Sequence, residues 1–216
     1  MRGVFVTGTG TDVGKTVVAA VIAHTAASRG ARVAVFKPAV SGLDEGGEPD
    51  HALLRRAAGS EQSDDQIAPY RFGPPVSPHL AAELAGEEID LGRALAAARD
   101  PASGGDLLVC EGVGGFLVPL TRQRLIRDFA RDLGLPVVIA ASPGLGTINH
   151  SLLTIDAVRA AGLRVAAVVL TPWPREPGRL ERDNRETIAA IGGVPVEILP
   201  ELDLGAPDRW PALEIA

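Results

Sequence analysis

Ten residues near the start of the chain, Thr7-Gly8-Thr9-Gly10-Thr11-Asp12-Val13-Gly14-Lys15-Thr16, are of the types that hold a phosphate. Glycine lets a backbone come close to an anion, and the N–H groups at the start of a helix point at it. Lys15 would reach the β- and γ-phosphates, and the Thr16 hydroxyl would ligate Mg²⁺. Composition adds weight to that lysine. Of 21 basic residues only Lys15 and Lys37 are lysine, and the other 19 are arginine. A compact ammonium on a flexible stem does what a planar guanidinium cannot. Both positions are therefore candidates for chemistry.

The run sits in the context of a Walker A loop: an apolar strand, a glycine-rich turn, then a helix. It departs from the usual spacing, because five residues stand between Gly8 and Gly14 instead of four. Other signals narrow the class. An Asn-Lys-x-Asp guanine motif is absent, and no second lysine occupies the early loop, where Thr9, Gly10 and Thr11 stand. Size and charge argue against a helicase or motor.

Further polar residues fall at the ends of apolar runs. Asp106–Glu111 (DLLVCE) closes on an acid and is followed by Gly112-Val113-Gly114-Gly115. Glu111 is placed as a Walker B acid that holds Mg²⁺, with N–H groups of the glycines facing a ligand. Lys37-Pro38 follows the second strand, and Ser41-Gly42 lies just beyond. Pro38 keeps Lys37 extended, which holds its ammonium on the rim where open α/β sheets bind ligands. Asp50 opens a helix, either as an N-cap or as a third Mg²⁺ ligand. His51 is expected at the surface. His79 and His150 are not spaced as metal ligands, and no Gly-x-Ser-x-Gly elbow occurs.

Positioning these groups requires six strands, 3–7, 32–36, 106–111, 136–141, 164–170 and 196–199. They are continuously apolar, as strands buried on both faces are. Helices are predicted over 15–28, 50–58, 91–99, 121–133, 148–161 and 179–190, with Gly30, Gly134 and Gly162 at three C-termini. The alternation predicts one α/β domain over residues 1–216: a P-loop NTPase-like parallel β-sheet with helices on both faces. A long irregular stretch, 38–77, is broken by one helix. The chain has 46% hydrophobic residues and a net charge of −6. That balance excludes disorder and disfavours nucleic-acid or anionic-membrane partners. No apolar run is long enough to span a bilayer. A single cysteine, Cys110, leaves no internal disulfide or all-cysteine zinc site. A cytoplasmic protein is expected.

Taken in order, GTGTDVGKT (8–16), KPAVSG (37–42), an acid near 50, SPHLAA (77–82), EGVGG (111–115), LGTINHSLLT (145–154) and LPEL (199–202) resemble the dethiobiotin synthetase family. The resemblance runs from Val4 to about Leu202. It implies ATP- and Mg²⁺-dependent ring closure of 7,8-diaminopelargonate with CO₂ to dethiobiotin. The route passes through a carbamate and a carbamic-phosphoric anhydride and gives ADP and phosphate. It further implies that Thr16, Asp50 and Glu111 hold Mg²⁺ and that residues Asp12, Val13, Gly14, Lys15, Thr16 and Val17 cradle the phosphates. Lys37 and Lys15 would be catalytic. Ser41 and Thr11 would meet the diamine, with Gly112, Val113 and Gly114 between the ligands. Pro200, Glu201 and Leu202 would wall the base. The family is a homodimer, and Asn149 and Asn184 would help hold the substrate carboxylate near its interface.

One position departs from the family pattern. Thr171-Pro172 stands where an asparagine commonly reads the adenine edge. A hydroxyl cannot make the paired donor and acceptor contact of an amide, and Pro172 has no N–H. Weakened base preference is expected, with Trp173 either covering the base or packed in the loop. Two other readings remain. A cobyrinate-type amide synthase would need a glutaminase domain or partner. A partition-type ATPase switch would need an early-loop lysine and a basic tail.

Overall fold

Runs such as Val4-Phe5-Val6 and Val137-Val138-Ile139 have no polar face to offer water, so each must be covered on both sides. The computed structural model describes residues 2–103 and 106–215. Six strands form one parallel sheet: β1 (Gly3–Gly8), β2 (Val33–Phe36), β3 (Leu107–Gly115), β4 (Val137–Ala141), β5 (Val165–Trp173) and β6 (Val196–Pro200). Their order is β2-β3-β1-β4-β5-β6, with Val6 beside Glu111 and Val138. β1 is thus central, and the chain leaves it toward β2 on one side and later fills β4 to β6 on the other. The crevice above β1 is the place where such sheets bind ligands.

The helices are α1 (Lys15–Ala27), α2 (Asp50–Ala58), α3 (Asp64–Ile67), α4 (Pro78–Ala85), α5 (Leu91–Ser103), α6 (Ile126–Leu133), α7 (Thr147–Ala160) and α8 (Arg179–Gly192). One face of the sheet packs on α1 and α2 through Val6, Val18, Val21, Leu54 and Val109. The other carries an aromatic cluster in which Phe36 stacks on Phe129 at 6.1 Å and Phe5 meets the same ring at 6.4 Å. Residues 203–215 return over α1, where Trp210 meets His24 edge-on at 5.5 Å and the Leu213 N–H donates to Thr25 Oγ1. Among the described residues no helix is long and apolar enough to cross a membrane.

All six strands lie where the apolar runs place them. β1 and β6 each run one residue further, and two strands extend well beyond: β3 continues through the glycines to Gly115 and β5 to Trp173. Glu111 is therefore within β3, not at its end. α6 starts at Ile126 rather than Thr121. Thr121 Oγ1 instead accepts from the N–H groups of Gln123 and Arg124, closing a turn whose flanks bridge at Pro119 and Leu125. Two short helices were not anticipated, α3 and α4. α3 opens on a capping box, with the Ser63 N–H donating to Gln66 Oε1 and the Gln66 N–H to Ser63 Oγ. α4 opens with Pro78 in its first turn and closes on Gly86 at φ 67.

The start of α6 is held by Asp128, whose Oδ2 accepts the Leu125 N–H at 2.9 Å. Burial pushes the Asp128 carboxyl up, but that bond and the charges of Arg127, Arg131 and Arg124 hold it below its ordinary value. Asp128→Ala is expected to cost about 1–2 kcal/mol through loss of this cap, read as a lower midpoint in chemical denaturation.

Candidate active site

β1 ends at Gly8 and the chain enters the glycine-rich loop at once. Asp12 (φ 56) and Gly14 (φ 83) are both left-handed, a region that aspartate tolerates and glycine adopts freely. Gly14 is also pinned by space, because a Cβ there would lie 2.5 Å from Thr171 Cγ2. Gly14 is the N-cap of α1, which has no side-chain cap and no acid in its first turn. Its first N–H groups are not engaged by a side chain, and the positive end of the helix faces the loop. Lys15 is buried and its Nζ donates to Gly10 O at 2.7 Å. Burial lowers its pKa, and nearby Glu111 opposes that.

Glu111, fully buried on β3, gathers the other groups. Its Oε1 accepts from Lys37 Nζ at 2.7 Å and from Thr16 Oγ1 at 2.9 Å. Lys37 Nζ also donates to Asp50 Oδ2. The lysine is fixed at its backbone, where its N–H donates to Ile67 O at 2.8 Å, and its side chain is only 4% exposed. Burial alone would push the ammonium down, but Glu111 and Asp50 outweigh it and the net shift is upward, so Lys37 stays charged at neutral pH. Burial pushes Asp50 up, and Lys37 with the Thr16 hydroxyl brings it below its ordinary value. Glu111 is raised by burial, with Lys37 opposing.

Asp50 does not cap α2. Pro49 is the N-cap and Asp50 the first helical residue, its side chain turned to Lys37. His51 is not at the surface. It is buried, 3.8 Å from an Asp64 carboxylate oxygen, and burial lowers its pKa. The alternation of a helix places it on the face of α2 opposite to solvent, which reading it singly could not reveal.

Thr16, Asp50 and Glu111 together offer a hydroxyl and two carboxylates. Mg²⁺ prefers one or two carboxylates with phosphate oxygens and water to a full protein cage. Glu111 Oε2 is buried without a hydrogen-bond partner, an oxygen that a cation would satisfy. Among the described residues no group of three or more His, Cys, Asp or Glu is placed to hold a metal. The donor set fits Mg²⁺ shared with a substrate and not a caged zinc. Cys110 is fully buried and its thiol is pushed well above its usual value by burial, so it offers no nucleophile.

Of the residues singled out in the sequence, Thr11, Asp12, Gly14, Lys15, Thr16, Val17, Lys37, Ser41, Asp50, Glu111, Val113 and Gly114 line one cleft of 750 Å³. Val40 and Gly42 of the 37–42 run and Ser77 and Pro78 of the 77–82 run line it too, while the other residues given a role lie outside its lining. Val13 packs over Gly8, and Gly112 fits closely under Phe5 and Ile126. Thr171 is 3% exposed behind Gly14, while Pro172, Pro200 and Glu201 are exposed and Leu202 is half-buried. Asn149 is exposed on α7. Asn184 is buried, and its Nδ2 donates to Pro143 O and Gly144 O, holding the loop before α7.

The structure adds cleft residues that no motif marked. Glu48 and Leu204 both line it. Arg56 links them, donating to both Glu48 oxygens and to Leu204 O. Residues 40–44 run beside 70–74, with Leu43 N–H donating to Phe72 O and Asp44 N–H to Gly73 O. The stretch 38–77 is thereby tied into the cleft wall.

A parallel sheet, a phosphate-type loop and a lysine–carboxylate cluster behind it define a P-loop nucleotide-binding protein. The family model described as an AAA domain matches residues 2–204. The cell division ATPase MinD of Pyrococcus furiosus shares the fold, with a TM-score of 0.56 at 17% identity over 94% of this chain and 84% of that one. Sequence relatives are closer. An ATP-dependent dethiobiotin synthetase of Anaeromyxobacter dehalogenans is 46% identical over 93% of this chain and 90% of its own. That of Rhodococcus erythropolis is 42% identical over 88% and 84%, and that of Bacillus cereus 39% over 91% and 81%. The chain belongs to the dethiobiotin synthetase family of ligases.

Proposed function

We propose that this chain is a single-domain enzyme that joins CO₂ to 7,8-diaminopelargonate and closes the ring to dethiobiotin, consuming ATP. The observation that carries the proposal is the buried Lys37 ammonium between Glu111 and Asp50, at the phosphate end of a cleft roomy enough for two ligands. The chemistry brings two anions together. An amine of the substrate takes up CO₂ and loses a proton, giving a carbamate. A carbamate oxygen attacks the γ-phosphorus, the bond to the β-phosphate oxygen breaks and ADP leaves. The second amine attacks the carbamate carbon, phosphate departs with the bonding pair, and a proton is lost as the ring closes.

Fixed positive charge is what such a meeting of anions requires. In this reading Lys37 steadies the carbamate and γ-phosphate oxygens, and Lys15 the β and γ oxygens. Residues 12–17 hold the phosphates through backbone N–H groups, and Ser41 and Thr11 orient the diamine. Mg²⁺, held by Thr16, Asp50 and Glu111, would supply further charge neutralisation on the phosphates. The proposal extends to a cytoplasmic homodimer. α7 and α8 pack together, and Leu153 on α7, Leu180 on α8 and Leu145 just before α7 are exposed, apolar surface for a second copy to cover. The test mixes the protein with diaminopelargonate, bicarbonate and Mg-ATP and measures dethiobiotin by mass together with phosphate. One phosphate per dethiobiotin supports the reading; ATP turnover only with another acceptor sinks it.

Base selection is proposed to be weak. Thr171 spends its methyl on Gly14 and has no amide with which to read adenine. A site built to hydrogen-bond a substrate group rejects analogues by about 10⁴-fold, and one without such contacts by roughly 10–10²-fold. Turnover with GTP, CTP and UTP is accordingly expected within about 10²-fold of ATP. A profile confined to ATP in a nucleotide panel would contradict this.

A further inference from the structure

Lys37 and the expected cation call on the same two carboxylates, Asp50 and Glu111. Lys37 Nζ holds Asp50 Oδ2 and Glu111 Oε1, and that Oε1 also takes the Thr16 hydroxyl. The ammonium is thus bonded to both carboxylates and, through Glu111, linked to the third donor assigned to Mg²⁺. Lys15 is different. It is nearby and buried, but its Nζ is spent on the Gly10 carbonyl and touches neither carboxylate. Two cations on one pair of carboxylates repel strongly where water is excluded.

We propose that Lys37 is the resident counter-ion of Asp50 and Glu111 and that it exchanges with the divalent cation, so that metal binding releases its ammonium toward the phosphate and carbamate oxygens. The proposal rests on the metal-dependent reading above. It makes Lys37 a positioning group for the carboxylates before it becomes a catalytic one. By linkage, whatever draws Lys37 away tightens the metal, and the metal in turn prepares the lysine. A free ammonium would then be presented only when the nucleotide and its cation are in place.

Two measurements test this. The first titrates Mn²⁺ into the full chain, with and without ADP, counting free ion by electron paramagnetic resonance. Lys37→Met is expected to tighten Mn²⁺ by about tenfold or more, because its direct competitor is gone. Lys15→Met removes a nearby charge but no competitor and should tighten it by less than about threefold. Equal effects of the two substitutions, or none at Lys37, overturn the exchange.

The second reads the unaltered protein and needs only one folded variant, for assignment. The chain has two lysines, and labelling lysine at Cε with ¹³C gives two signals, assigned with either variant. Added Mg²⁺ should shift the Lys37 signal along the same saturation curve that describes metal binding. Metal binding that leaves the Lys37 signal unmoved overturns the proposal while sparing the metal site. Absence of Mn²⁺ binding even with ADP overturns the metal site itself, and the exchange with it.

Discussion

Lys37→Met is expected to lower dethiobiotin formation by about 10²–10³-fold, the usual loss when one fixed group facing a developing charge is removed. Lys37→Arg should be almost as poor. The side chain is 4% exposed between two carboxylates, and a guanidinium neither fits that space nor places a point charge on the stem. Part of the loss could be structural, so stability must be read beside activity. Removing one partner of a buried pair costs about 3–5 kcal/mol. Here the low end, about 3 kcal/mol or less, applies because Asp50 is 41% exposed and the Thr16 hydroxyl remains on Glu111. Activity assayed well below the unfolding midpoint of the variant separates the two effects. A Lys37→Met protein that is folded and retains more than about a tenth of wild-type turnover would remove Lys37 from the chemistry.

The fold was legible because its strands are buried on both faces, and such strands are unbroken apolar runs whatever their partners. What failed to read were segments whose structure depends on distant contacts. Residues 112–115 and 171–173 look like turns from their glycine and proline, yet β3 and β5 carry them beside Gly8 and Pro200. The phosphate loop was legible because it is local, ten residues in one turn. The cluster behind it was legible only as a shared rim. Thr16 and Lys37 meet Glu111 across 95 and 74 residues, and no sequence period encodes such a meeting. Asp50 reads from the sequence as a helix cap or a ligand; the structure excludes the cap and turns its side chain to Lys37, a contact that no local pattern encodes. Asn184 shows the opposite limit. The family resemblance implies a substrate contact for it; within this chain its amide donates to the carbonyls of 143 and 144.

Glu111→Gln is expected to match or exceed that loss, falling by about 10²–10³-fold or more, although it changes one oxygen into an NH₂ group and almost no volume. Both orientations of the amide fail. With its oxygen toward Lys37 and Thr16, the NH₂ group takes the place of the buried Oε2, and a donor stands where a cation needs an acceptor. Reversed, the NH₂ group faces the Lys37 ammonium and the Thr16 hydroxyl, both already donors to this side chain. Charge follows the same logic. Lys37 would keep Asp50 alone, the cluster would lose one of its two negative charges, and Mg²⁺ would lose its deepest ligand. The loss should therefore fall on metal and turnover and spare the loop. Calorimetric titration is expected to give metal-free ADP binding within about threefold of wild type, since Gly14, Lys15 and the start of α1 are untouched. The gain in ADP affinity on adding Mg²⁺ should disappear. A Glu111→Gln protein that still binds ADP more tightly with Mg²⁺, and turns over within tenfold of wild type, would place the cation elsewhere in the cleft. Glu111 would then serve only to seat Lys37.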